Sequence, residues 1–105
     1  MFVNSSAAIG ARPGIGQYSA TQHARSALAD TLRAEVNADG IRVLSVYPGR
    51  TATRMQERIF RAEQRRYEPE RLLQPGDIAE VVVGSLALPR SAEVTALHIR
   101  PMEKP

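Results

Sequence analysis

The chain has 105 residues, 43% of them hydrophobic, a formal net charge of +3 and no cysteine. Such a length holds one small domain, and no apolar run approaches the ~20 residues a membrane helix needs. The lack of cysteine excludes disulfides, thiolate metal sites and a cysteine nucleophile together. The short apolar patch at the N-terminus has no basic leader, so no secretory signal, no membrane partner and a cytoplasmic location are expected.

In chain order, residues 1–5 read as a short strand with Phe2-Val3 as its apolar part, entering a loop of small residues up to Gly16. A long helix is expected over 17–36, with Ala24, Ala27, Leu28, Leu32 and Val36 on one stripe. Asn37-Ala38-Asp39-Gly40 closes it, glycine being the usual left-handed stop. Residues 41–47 are a largely apolar strand that Pro48-Gly49 ends abruptly. Strand, helix and strand with short joints predict a right-handed parallel crossover. Thr53 or a neighbour is a candidate cap for a charged helix over 54–67, whose apolar side offers Met55, Ile59, Phe60 and Ala62. Residues 72–77 turn into another helix with proline in its first turn, carrying Ile78, Val81, Val82 and Leu86 before Pro89. A last strand covers 94–99. The expected fold is α/β, about three parallel strands with helices on the faces, and no linker divides it.

Arg54, Arg58, Arg61, Arg65 and Arg66 recur at helical spacing and could meet phosphates. Glu57, Glu63, Glu68 and Glu70 are interleaved with them, and aromatics for base stacking are few. A solvated face with internal ion pairs is therefore expected, and no nucleic-acid partner. His98 reads as a half-buried structural residue and His23 as a surface helix residue. No set of His, Asp and Glu has metal-site spacing.

The stretch from Gly10 to Gln22, GARPGIGQYSATQ, can be read in two ways. Its first seven residues fit G-x-x-x-G-x-G, a glycine turn between strand and helix that suits a dinucleotide pyrophosphate. On that reading Arg50, at the end of the next strand, would favour a 2′-phosphate. Its last five residues fit Y-x-x-x-K except that Gln22 stands at the lysine position.

The second reading explains more residues. Ser5, Ser6, Pro13, Gly14, Tyr18, Ser19 and Ala20, then Pro48-Gly49 with Thr51 and Thr53, together resemble the short-chain dehydrogenase/reductase family. In that family a serine precedes the catalytic tyrosine by thirteen residues, a spacing that Ser5 and Tyr18 match and Ser6 does not. Residues 24–36 and 40–53 are also similar to family sequence, so the resemblance runs over essentially the whole chain.

It implies a single partial domain over residues 1–105, the C-terminal half of a Rossmann-like dinucleotide-binding fold. The implied activity is hydride transfer between an alcohol or carbonyl substrate and NAD or NADP. Such chemistry needs a group that moves the hydroxyl proton, and a tyrosine can do so when a nearby cation favours its ionised form. The resemblance gives Tyr18 that role, Ser5 the hydrogen bond to the substrate oxygen, and Gln22 the place of the lysine that also binds the nicotinamide ribose. Pro48, Gly49, Thr51 and Thr53 would receive the carboxamide end of the cofactor.

Gln22 carries no charge, and His23 lies about 100° further round the helix. An inactive remnant or an interaction module is the alternative. The resemblance also implies a homo-oligomer, or a missing N-terminal half as partner.

Overall fold

A computed structural model describes residues 1–104. Three parallel strands, β1 (Phe2–Val3), β2 (Ser45–Pro48) and β3 (Ala96–Ile99), form one sheet in that order. Helix α1 (Gly16–Val36) connects β1 to β2, and α2 (Arg54–Ala62) and α3 (Pro75–Leu86) connect β2 to β3. The expected α/β architecture is the one observed. Phe2 aligns with Ser45 and Val3 with Val46, while Ser45 to Pro48 align with Ala96 to Ile99.

As the central strand, β2 is covered on both faces, which explains its nearly continuous apolar sequence. Leu44 and Val46 pack with Val82 of α3, and Ile78, Val94, Leu97 and Ile99 complete that cluster. The opposite face lies under α1. There Ser26 Oγ and the Tyr47 hydroxyl are 2.7 Å apart, and the His98 ring stacks on Tyr47 at 4.9 Å between centroids. His98 is exposed at the sheet rim instead of half-buried.

The seating of α1 differs from the expected stripe. Leu28 is 66% exposed and Leu32 is 37% exposed, and Ala24 and Ala27 also face outward. The face turned to the sheet carries Ser19, Gln22 and Ala29, with Ser26, Arg33 and Val36 half-buried along it. Small side chains let the helix approach closely, and the polar ones each find a partner. Ser19 Oγ donates to the carbonyl of Ala7 at 2.8 Å, and Arg33 donates to those of Val43 and Thr95, both at 2.9 Å. Apolar content alone picked the wrong face.

The caps follow the sequence more closely. Gly40 takes φ +75 just after the turn that ends α1, a conformation glycine adopts without strain. Thr53 Oγ1 accepts the Gln56 N–H at 3.2 Å and so starts α2. Asp77 Oδ2 accepts the Gln74 N–H at 2.9 Å ahead of α3, whose first residue is Pro75. Helix α2 stops at Ala62, earlier than the expected Tyr67. Gln64 enters the left-handed region (φ 55), and the N–H groups of Arg65 and Gln64 close onto the carbonyls of Phe60 and Arg61. Within α3, Val81 (41%) and Leu86 (55%) are exposed and Val82 alone of the expected apolar set is fully buried.

Candidate active site

Because the strands are parallel, β1 and β2 end on the same side of the sheet, and such carboxyl ends form the crevice where open α/β sheets bind ligands. Asn4, Ser5 and Ser6 leave β1 there, Tyr18 stands in the first turn of α1, and Pro48 to Thr53 lead from β2 into α2. Two cavities open at this end. The first, about 330 Å³, has Arg12, Ile15, Arg50, Ile59 and Glu63 on its own part of the wall. The second, about 280 Å³, has Val3, Asn4, Thr51, Thr53 and Ile78. Ser5, Tyr18, Pro48, Gly49, Met55 and Gln56 line both. Six of the seven expected site residues therefore meet in one place.

The hydroxyls differ in what they have left to offer. Ser5 Oγ accepts the Ala7 N–H at 3.1 Å, which leaves its O–H free to donate into the cavities. Tyr18 is half exposed, and its hydroxyl has no hydrogen-bond partner among the described residues. Thr51 Oγ1 donates to the Gly49 carbonyl at 3.0 Å, and Thr53 Oγ1 is occupied in capping α2. Gly49 has a packing reason to be glycine, since a Cβ there would come within 3.2 Å of Pro101 Cδ.

Gln22, the seventh residue, lines neither cavity. It is buried, and its Nε2 donates to Asn4 Oδ1 at 2.8 Å while Asn4 Nδ2 donates to the Gln22 carbonyl at 3.0 Å. Asn4 Oδ1 also accepts the Ser5 N–H at 2.9 Å. This clasp fixes the end of β1, and with it Ser5, against α1. Asn4 has no signal in the sequence beyond that of a turn former, because its partner is eighteen residues away. Gln56 was equally silent. Its Oε1 is buried without a hydrogen-bond partner, in a side chain that lines both cavities.

Arg50 closes the first cavity by gripping Glu63 with both guanidinium ends, at 2.8 and 3.0 Å, while stacking over Phe60 at 4.7 Å. The hydrogen bond from Arg50 is the main cause of a lowered Glu63 pKa, and Arg65 adds to it. A depressed carboxylate stabilises the fold above its unfolded titration range, and that contribution disappears as pH falls through the lowered value. Glu63 is more than a third exposed, so the pair contributes no more than roughly 0.2–1 kcal/mol. Urea midpoints of the wild type and Glu63→Gln should differ slightly at neutral pH and converge in acid, below the ordinary glutamate range. A gap that persists or widens in acid would show that the pair is not its source.

A profile of the family "short chain dehydrogenase" matches residues 1–64. The chain belongs to this family. A glycine betaine reductase of Emericella nidulans is 34% identical over 89% of the chain, which covers 8% of that protein. A short-chain type dehydrogenase/reductase of Sinorhizobium fredii, y4eK, is 29% identical over 95% of the chain, covering 42% of the relative. Among solved structures, an alcohol dehydrogenase from the archaeon Thermococcus sibiricus, complexed with 5-hydroxy-NADP, is 28% identical. It superposes with a TM-score of 0.75 over 98% of the chain and 42% of its own length. The chain thus spans less than half the length of these family relatives.

Proposed function

We propose that the chain is the C-terminal half of an NAD(P)-dependent oxidoreductase that moves hydride between a small alcohol or carbonyl compound and the cofactor. The observation that carries this reading is that Ser5 and Tyr18 line both cavities and have uncommitted hydroxyl protons. A reacting carbon at that junction would face the cofactor on one side and lie among the substrate-binding side chains on the other. Ser5 donates its hydrogen bond to the substrate oxygen, and Tyr18 passes a proton to that oxygen or takes it away.

The threonine-lined cavity suits the nicotinamide end. Pro48, Gly49, Thr51 and Thr53 surround it. When bound, the nicotinamide supplies or takes up the hydride. The family's adenosine and pyrophosphate contacts belong to the half of the domain outside this chain. An edge of β1 with no strand beside it among the described residues supports such a completing partner, or self-association.

The clasped Gln22 favours a second reading, an inactive remnant or interaction module, because no cation stands where the family has its lysine. Fusing the chain behind the N-terminal half of a relative and following carbonyl-dependent NADPH oxidation separates the two. Turnover supports the enzyme. A folded, NADPH-binding fusion with no turnover on a panel of aldehydes and ketones supports the remnant.

A further inference from the structure

The charged groups on the wall of the first cavity are Arg12, Arg50 and Glu63. Arg50 and Glu63 neutralise each other through their two-pronged contact at 2.8 and 3.0 Å. Arg12 makes no hydrogen bond or ion pair among the described residues. One uncompensated guanidinium therefore shares a cavity with the apolar side chains of Ile15, Met55 and Ile59 and with the hydroxyls of Ser5 and Tyr18. The loop that carries it is anchored, since Ser19 Oγ, besides its bond to Ala7, reaches the Gly10 carbonyl at 3.1 Å.

We propose that Arg12 binds a carboxylate on the substrate, so that the site acts on small hydroxy or oxo acids with an apolar body. This rests on the two-cavity reading above. The planar guanidinium fork matches a carboxylate in two parallel hydrogen bonds. A cavity of about 330 Å³ is at the small end of ligand pockets, which limits the body to a short chain. A cofactor phosphate is the other anion that could reach an arginine. Arg12 is absent from the threonine-lined cavity, which favours the substrate.

The test is calorimetric titration of the 105-residue chain with 4-methyl-2-oxopentanoate, its methyl ester and NADPH, for the wild type, Arg12→Gln and Arg12→Lys. Arg12 is exposed, so the fold should survive both substitutions. The acid should bind roughly ten- to a hundredfold more tightly than the ester. Arg12→Gln should erase that difference and leave NADPH binding unchanged, while Arg12→Lys should keep part of it. Equal binding of acid and ester to the wild type, or no binding of the acid at millimolar concentration, overturns the proposal. So does a loss in Arg12→Gln that falls on NADPH, which would assign the residue to a phosphate. Equal binding that Tyr18→Phe weakens for both compounds would leave the two-cavity reading standing and remove the role of Arg12 alone.

Discussion

In the chain fused behind an N-terminal half of the family, Tyr18→Phe is expected to lower carbonyl-dependent NADPH oxidation by roughly 10²–10⁴-fold. The substitution removes one oxygen and leaves the ring, so the packing of the first turn of α1 is kept. The phenol hydroxyl has no hydrogen-bond partner among the described residues, and its loss therefore leaves no buried group unsatisfied. Stability and NADPH affinity should both stay near wild type. A rate that falls less than about tenfold would mean that another group moves the proton.

Gln22→Lys in the same fusion should act in two directions. A cation one helical turn from Tyr18 favours the ionised phenol and should raise the rate roughly tenfold or more near neutral pH. The same change removes the side-chain amide from a buried clasp in which both side-chain polar atoms of Asn4 are committed. Only the bond from that amide is lost, since Asn4 Oδ1 keeps the Ser5 N–H and Asn4 Nδ2 keeps the carbonyl of residue 22. Its loss costs about 0.5–1.5 kcal/mol, and a domain with about 5–15 kcal/mol in hand still folds. The variant should be faster and less stable. Equal rates for glutamine and lysine between about pH 6 and 9 would show that charge at this position does not tune Tyr18.

The order of elements and the caps were legible because they rest on local chemistry. Thr53, Gly40 and Pro75 each act on their own neighbours, and each is where the sequence puts it. The end of α2 was hidden because Gln64 takes a left-handed turn usually held by glycine. The inward face of α1 is hidden from sequence for a different reason. Its outward side is richer in leucine, while its inward side is built from small and polar residues that pair with groups remote in sequence. Among the site residues, the resemblance to the family singles out Ser5, Tyr18 and the threonines after the proline-glycine turn. Asn4, Arg12 and Gln56 carry no motif. Only their positions around the cavities single them out.

The central claim, that the nicotinamide end of the cofactor lies against the turn after β2, can be tested on the chain itself. Hydrogen–deuterium exchange would be followed with millimolar NADPH present. The account predicts weak binding, with slowed exchange confined to peptides covering residues 45–53 and the neighbourhood of Ser5 and Tyr18. Tight binding with protection centred on Gly10 to Gly16 would contradict it and make that loop the phosphate-binding turn.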